Sequence, residues 1–262
     1  MALSLQVALA WACSAELSLV QLPDSTSAVC NDGSPYAYYL EKSATSSPNW
    51  IFFQEGGSYC WDQVSCNERR STNSNLMTSK GLKDTIVITK GIVSDSTAAN
   101  PYYADWNKVQ LPYCTSDAFS GTMESTSYGV SFLGSRIVPE VVADLLEVHG
   151  LVDSIETIVV YSGSSAGAVG IYPNLDHLAN ELLPLSRVVG VVDSGKAYGV
   201  ALSLSLSLSL SLSLCDSLHP LLPANPSLVP PPSLSLSLQG GFLIQPRSRP
   251  RAVRTLCTAL WN

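Results

Sequence analysis

The amino-acid sequence predicts an α/β fold in which a mostly parallel sheet is covered by helices on both faces. Short apolar runs alternate with stretches of helical spacing along residues 16–199. The runs are continuous, as in strands buried on both faces of a sheet, rather than alternately apolar and polar. Glycine-rich breaks follow two of the runs, at Gly56-Gly57 and at Gly163. Because sites in open sheets of this class form at the carboxyl ends of strands, these breaks are the expected position of a functional site.

The predicted elements follow in chain order. Apolar runs, several of them rich in β-branched or aromatic residues, predict strands at residues 50–54, 85–89, 109–112, 157–161 and 188–192. Apolar residues on one side of a helix, from Ile137 to Val148, predict a helix over residues 132–148, with Pro139 marking an early turn or kink. A second helical stretch covers residues 174–183.

Charge and composition exclude several classes of function. The net charge of the 262 residues is −7, and residues 200–262 hold one acid and four bases, which leaves 20 acids and 10 bases in residues 1–199. An acidic body does not suit nucleic-acid binding, because phosphate contacts need clustered Lys and Arg. The sequence has no CxxC pair and no cluster of His and Cys, so neither a metal nor a cofactor is predicted.

The N-terminus and the cysteines predict a secreted protein. Residues 1–15 are apolar and end in small residues before a possible cleavage after Ala15, as in a signal peptide, although the usual basic start is missing. The run is too short to span a membrane, and the alternative is a buried N-terminal segment. Four cysteines of the body, an even number, are typical of disulfides formed in an oxidising compartment: Cys30, Cys60, Cys66 and Cys114. Three pairings are possible, and the sequence alone does not choose among them.

Residues 200–262 form a low-complexity tail that we predict to lie outside the fold. Leu and Ser alternate strictly over residues 202–214 and again over 233–238, with a proline-rich stretch between them. Alternation is nominally a strand signal, but a repeated dipeptide carries no register information, since a shift by two residues changes nothing. A CT dinucleotide repeat encodes the same alternation, and our hypothesis is that the tail is translated repeat or intron sequence. Sequencing of the spliced transcript tests this hypothesis.

The motif with the clearest chemistry is Gly163-Ser164-Ser165-Ala166-Gly167, a G-x-S-x-G pattern between a predicted strand and a helix. That context is the one a nucleophile elbow requires, with Ser165 exposed at the tip of a tight turn. Free N–H groups at the start of the following helix favour a developing negative charge. The alternative is a glycine-rich turn between strand and helix with no catalytic role.

Acyl transfer to a serine also needs hydrogen-bond donors for the oxyanion. The backbone N–H of Ala166, the residue after the nucleophile, is one expected donor. Gly57 and Ser58, which follow the strand at 50–54, are candidates for the others. A simple Gly-Gly turn is the alternative interpretation of this loop.

Five blocks resemble the Notum and pectin acetylesterase family, in the family's order and at similar spacing: CNDGSP (30–35), EGGSYC (55–60), NPYYADWNKVQLPYCTSDAFSG (100–121), YSGSSAGAVG (161–170) and VVDSG (191–195). The resemblance covers residues 28–199 and implies a partial domain, at residues 16–199, with an α/β-hydrolase fold. It also implies hydrolysis of O-acyl esters. The substrate would be a lipidated protein, as for Notum acting on palmitoleoylated Wnt, or an acylated polysaccharide, as for the plant enzymes acting on pectin.

Matched residue by residue, the resemblance puts Ser165 in the nucleophile's place and Gly57, Ser58 and Ala166 in the places of the oxyanion hole. It implies the disulfides Cys30–Cys114 and Cys60–Cys66. Ser58 stands where Notum has Trp, which keeps the backbone donor but changes a wall of the acyl pocket.

The triad Asp and His of this family follow the VVDSG block, where this sequence has the Leu-Ser tail, and we identify neither. Three histidines exist, and none is expected to be the base: His149, His177 and His219. Asp193 could line the site, but it does not match the triad acid. We therefore expect the chain as written to be inactive and poorly folded, because its C-terminal part is incomplete. The alternative function is that of a non-catalytic pseudoenzyme, or a fragment, that binds acylated glycan or lipid.

Overall fold

The computed structural model describes residues 16–195 and the backbone of residues 242–244. The predicted signal peptide and nearly all of the predicted tail, including His219, lie outside the described residues. No helix in the described ranges is long and apolar enough to cross a membrane.

Within the described residues, eight strands form a single mixed sheet: β1 (Leu17–Gln21), β2 (Ala37–Glu41), β3 (Trp50–Gln54), β4 (Thr85–Ile86), β5 (Asn107–Leu111), β6 (Ile158–Ser164), β7 (Arg187–Asp193) and β8 (Phe242–Ile244). Their order across the sheet is β4-β1-β2-β5-β3-β6-β7-β8. The four strands β5, β3, β6 and β7 are parallel to one another, and antiparallel strands flank them on both sides. The predicted α/β class is confirmed, with its parallel part at the centre of the sheet.

Three α-helices accompany the sheet in the described part of the chain: α1 (Gln63–Thr72), α2 (Ile137–Glu147) and α3 (Ala166–His177), which continues as a π-helical turn (Leu178–Leu182). Short 3₁₀ turns lie at Ser74–Leu76 and at Gly134–Arg136. The sequence predicts α2 from residue 132, but the helix begins at Ile137, because Phe132 pairs with Met123 in an isolated β-bridge. Pro139 lies in the first turn of α2, where its missing N–H costs no helical hydrogen bond.

The two faces of the sheet are covered differently. On one face α2 and α3 pack against the apolar side chains of β3, β5 and β6 and form the main core with them. On the other face Ile51 and Val160 pack against Val93 and its neighbours in the irregular segment 88–106. The sequence predicts helices on both faces of the sheet. Within the described residues, α2 and α3 cover one face, and the irregular segment 88–106 covers the other.

One short strand comes from the segment that the sequence places outside the fold. The backbone of β8 pairs antiparallel with β7, with Gly190 opposite Ile244. The physical reason is that a bare strand edge presents unpaired N–H and C=O groups, to which any extended segment can add.

Candidate active site

Ser165 lies at the tight turn between β6 and α3. Its φ of +52° and ψ of −120° belong to neither element and fall in a backbone region that non-glycine residues rarely adopt. The Ser165 N–H donates to Asp193 O at 3.1 Å, and its carbonyl accepts from Val169 N at 3.1 Å, so β7 and α3 hold the turn. The side chain is exposed. Strained backbone of this kind persists only where the surroundings fix it, and it concentrates at functional sites.

Two glycines of the motif are needed for the turn to fit. A Cβ at Gly163 would come within 2.7 Å of the backbone carbon of Gly167. A Cβ at Gly167 would overlap the backbone carbonyl of Gln54 at the end of β3. Only glycine therefore allows the elbow to close on itself and to lie directly against β3.

The loop after β3 contacts the Gly163–Gly167 turn, the elbow. This follows from the parallel register of β3 and β6, which places Gln54 beside Gly163. A Cβ at Gly56 would lie 2.7 Å from Ser165 Cβ and 3.3 Å from Ala166 N. The structure thus brings the Gly56–Ser58 loop, Ser165 and Ala166 together at the carboxyl ends of β3 and β6.

The backbone of this loop presents N–H groups that suit a negative charge. Ser58 has a φ of +62° and so, like Ser165, is a non-glycine residue in the left-handed backbone region. Within the described ranges, no residue accepts a hydrogen bond from the N–H of Gly57, Ser58 or Ala166. The N–H of Ala166 also opens α3, so the positive end of the helix dipole lies there.

The loop is fixed at both ends. The Glu55 N–H donates to Leu111 O at 3.0 Å, and the Cys60 N–H donates to Ser116 O at 3.2 Å. The Cys60–Cys66 disulfide, with a Cα–Cα distance of 5.0 Å, ties the loop to α1. The other disulfide joins Cys30 to Cys114, so the structure contains the two pairs that the family resemblance implies.

Two buried carboxyl groups support the surrounding loops. Burial raises the pKa of Glu55, although Gln110 Nε2 donates to it and a backbone N–H lowers the pKa in part. Burial also raises the pKa of Asp117, which accepts hydrogen bonds from one hydroxyl and three backbone N–H groups: Thr115, Phe119, Gly121 and Gly134. Neither carboxyl is bonded to Ser165, and both act by shaping the loops beside it. Neither carboxyl group is predicted from the sequence as part of the site.

The two described histidines lie far from Ser165. His177 ends α3, twelve residues after Ser165, which is about 18 Å along a helix axis. Its Nδ1 is 3.2 Å from Glu181 Oε2. His149 precedes β6 and so lies at the amino edge of the parallel strands, about 20 Å from the elbow, with its Nε2 3.4 Å from Asp144 Oδ2.

Asp193 ends β7 beside the elbow, but the contact with Ser165 comes from its backbone carbonyl. Its exposed carboxylate accepts a hydrogen bond from Ser194 Oγ at 3.0 Å. No group of three or more metal-ligating side chains occurs in the part of the chain that the structure describes.

An apolar pocket of about 350 Å³ lies next to the Gly56–Ser58 loop. The pocket is open to solvent, and Cys60, two residues after Ser58, is one of its lining residues. Its walls are Cys60, Trp61, Asp117, Gly121, Thr122, Met123, Tyr128 and Phe132.

This chain is similar in sequence and in structure to several known proteins. The palmitoleoyl-protein carboxylesterase NOTUM of Homo sapiens is 40% identical over 176 residues, which are 65% of this chain and 34% of that protein. The protein of the same name from Mus musculus is 42% identical over 177 residues, with the same coverage. A solved structure of the Wnt deacylase Notum from Drosophila is similar with a TM-score of 0.64 and 38% identity, over 69% of this chain and 53% of that chain. The chain spans about a third of the length of the curated relatives it matches.

The likeness to that solved structure confirms the α/β-hydrolase-like fold that the resemblance implies. The sequence profile of the family described as Pectinacetylesterase matches residues 10–198, well over half of the chain. A profile match of this extent, together with relatives at about 40% identity, means that this chain belongs to the pectinacetylesterase family.

Proposed function

We propose that this chain is a serine carboxyl-ester hydrolase of O-acyl esters, with Ser165 as the nucleophile. The observation that carries the proposal is the juxtaposition of a strained, exposed serine with backbone N–H groups in the segments that follow two neighbouring strands, β3 and β6. A Cβ at Gly56 would lie 2.7 Å from Ser165 Cβ, so the loop that carries the N–H groups of Gly57 and Ser58 packs against the turn that carries Ser165 and Ala166.

The chemistry follows from this arrangement. Ser165 Oγ attacks the ester carbonyl, its proton passes to a base, and the carbonyl oxygen becomes an oxyanion that accepts hydrogen bonds from the backbone donors. Collapse of this intermediate breaks the bond to the alcohol, which leaves with a proton, and water then releases the acid from the acyl-enzyme. Neither His149 nor His177 is close enough to take the proton.

The substrate class is supported by the relatives' names. Two relatives are called palmitoleoyl-protein carboxylesterase and one solved structure is called a Wnt deacylase, which favours a lipidated protein. The family description, Pectinacetylesterase, favours an acetylated polysaccharide. Ser58 is a small, exposed residue of the Gly56–Ser58 loop, which we call the oxyanion loop, and it forms part of the proposed acyl pocket wall. The preferred length of the acyl chain therefore distinguishes a lipidated protein from an acetylated polysaccharide as the substrate.

We also propose that the chain is secreted. Two disulfides, one of them across 84 residues, form and persist in oxidising compartments.

The test is to express the full chain through a secretory pathway and to measure hydrolysis of p-nitrophenyl acetate and p-nitrophenyl octanoate, with Ser165→Ala as the matched variant. Because no general base is identified for Ser165, we expect turnover by the chain as written to be slow, and we expect Ser165→Ala to abolish the turnover that remains. Preference for octanoate indicates a lipidated substrate, and preference for acetate indicates a polysaccharide. Equal rates for the parent and the alanine variant would overturn the assignment of Ser165.

A second function, binding without catalysis, is favoured by one observation: both described histidines are remote from the nucleophile. Loss of the base from a serine hydrolase lowers kcat by several orders of magnitude and leaves binding and oxyanion stabilisation intact. Saturable binding of a palmitoleoylated peptide or of acetylated pectin, with no Ser165-dependent turnover, would establish this function in place of the first.

A further inference from the structure

Arg69 is a buried cation that lies behind the oxyanion loop. The residue is on α1 and is only 7% exposed. No residue in the described ranges places a carboxylate within ion-pair distance of its guanidinium. A buried charge without a counter-ion is costly unless other polar groups stabilise it.

The guanidinium is bonded to backbone carbonyls instead. Arg69 Nη1 donates to Gly57 O at 2.6 Å, and Nη2 donates to Leu76 O at 3.5 Å. The guanidinium carbon lies 5.6 Å from the centre of the Tyr113 ring, which in turn lies against Gly57. The short bond to Gly57 is a charge-assisted hydrogen bond, the stronger class of such bonds.

The accepting carbonyl belongs to the same peptide unit as a proposed oxyanion donor. In a planar trans peptide, the C=O of one residue and the N–H of the next point in opposite directions. Because Arg69 holds Gly57 O on the side of α1, the N–H of Ser58 must point away from α1. A cation at the carbonyl end also polarises the peptide, which strengthens its N–H as a donor.

The same peptide precedes the strained residue of the loop. Ser58 adopts a φ of +62°, and rotation of the Gly57–Ser58 peptide would relieve that conformation. The disulfide from Cys60 enters α1 at Cys66, one helical turn before Arg69, so helix and loop form one unit.

We propose that Arg69 is a positioning residue for the oxyanion hole: its bond to Gly57 O orients and polarises the peptide whose N–H, on Ser58, receives the developing negative charge. The inference rests on the proposed esterase function and deepens it. Arg69 does not touch the substrate and acts only through the peptide.

The test compares Arg69→Met with Arg70→Met in the full chain. Arg70 is the neighbouring residue on the exposed side of α1, bonded to Asn67 Oδ1 at 3.2 Å and to Gly129 O at 3.4 Å. The first readout is the ratio of kcat for p-nitrophenyl acetate to kcat for its thiono analogue, whose sulfur accepts hydrogen bonds poorly. A misoriented donor slows the oxo ester more than the thiono ester, whereas general damage to the fold slows both alike.

We expect Arg69→Met to lower kcat for the oxo ester about 10- to 100-fold, part of the loss seen on removing one oxyanion donor, with KM unchanged and the oxo-to-thiono ratio reduced. Arg70→Met should leave all three quantities unchanged. If Arg69→Met does not fold, as judged by thermal melting, Arg69→Gln takes its place, because it removes the charge and keeps an amide donor. A folded Arg69 variant with an unchanged ratio would overturn the inference.

A second readout needs no general base. Butylboronic acid binds when boron accepts the Ser165 Oγ lone pair and the hydroxyl proton leaves to solvent, giving a tetrahedral anion that resembles the oxyanion intermediate. Its Kd should rise at least tenfold in Arg69→Met and not in Arg70→Met. Equal boronate affinity in all variants overturns only the role of Arg69. A parent chain that neither turns over esters nor binds the boronate overturns the proposed function and this inference together.

Discussion

Gly56 is the contact between the oxyanion loop and the elbow, and one added methyl group there probes the proposed site directly. A Cβ at Gly56 would lie 2.7 Å from Ser165 Cβ and 2.6 Å from Ser164 O. Non-bonded carbon atoms settle at about 3.5–4 Å, so Gly56→Ala must separate the loop from the elbow by about 0.8 Å. The Cβ and the backbone carbonyl that it meets are fixed parts of the turn and cannot move aside as a flexible side chain would.

The expected effect is large on rate and moderate on stability. A displacement near 1 Å in a catalytic constellation can cost about 100-fold in rate. Overpacking by one methyl group costs about 1–3 kcal/mol of unfolding free energy. We therefore expect Gly56→Ala to lower Ser165-dependent release of p-nitrophenol by about two orders of magnitude while the protein stays folded.

The matched control is Gly81→Ala, where an added Cβ meets no atom within 4 Å. Both variants are compared with the parent by p-nitrophenyl acetate hydrolysis, butylboronic acid affinity and thermal melting. Parent-like rate and boronate affinity in folded Gly56→Ala would refute the reasoning, because the loop would then not form part of the site.

Three further predictions concern stability. The pKa of Asp32 is lowered from 3.8 to about 2, since burial opposes the shift but hydrogen bonds from neighbouring hydroxyls, a backbone N–H and a lysine outweigh it. The resulting stabilisation is present above pH 3.8 and is lost as the pH falls towards 2, so Asp32→Asn should flatten the acid limb of a plot of Tm against pH. Lys108 is fully buried, and its Nζ lies 2.8 Å from Glu41 Oε1. Because Glu41→Gln leaves the buried ammonium without its counter-ion, we expect it to lower the free energy of unfolding in urea by about 3–5 kcal/mol. The double variant Glu41→Leu with Lys108→Met removes both charges and should lower it much less. Replacing Cys60 and Cys66 by serine should cost about 2 kcal/mol, as expected for a short loop, and a cost near zero would show that the bond adds nothing to the constraint on the unfolded chain.

The buried centre of the sheet could be predicted from the sequence, because its strands are apolar on both faces. The bounds of β3 agree with the prediction, and β7 extends it by one residue at each end. β6 runs three residues past its predicted end, to Ser164, because Ser162 and Gly163 still pair with β7 although they lack apolar side chains. At the edge, only Thr85–Ile86 of the predicted strand 85–89 pairs with a neighbour.

The helix α1 could not be predicted from hydrophobic spacing, because it is mostly polar and buries only Cys66 and Arg69. Its stability comes from an N-terminal capping box between Asp62 and Ser65 and from the disulfide. The Asp-x-x-Ser pattern is the signal that could have located its first turn. Strands β1 and β2 were also missed, and both lie in the antiparallel part of the sheet.

The loops that carry the proposed nucleophile and the proposed donors can be located from local sequence, whereas the burial of Arg69 and of Asp117 cannot. A G-x-S-x-G turn and a Gly-Gly break are readable in a few residues each, but a single Arg or Asp in a polar segment is by default a solvated side chain. Only the packing of α1 against the loop shows that Arg69 is buried, and only the fold of residues 115–134 shows that Asp117 is enclosed by donors.

Strand register alone brings the proposed nucleophile and the proposed donors together. β3 and β6 are parallel neighbours with Gln54 opposite Gly163, so the loops that leave their carboxyl ends must touch. No such local rule brings an imidazole to Ser165, and a base has to be supplied by a separate part of the chain. Binding of a tetrahedral boronate requires only that Ser165 and the backbone donors lie together, whereas turnover also requires a general base. If the elbow and donors are assembled without a base, boronate affinity will be that of a serine hydrolase while kcat is lower by several orders of magnitude. If boronate binding is absent as well, the register has not created an oxyanion site.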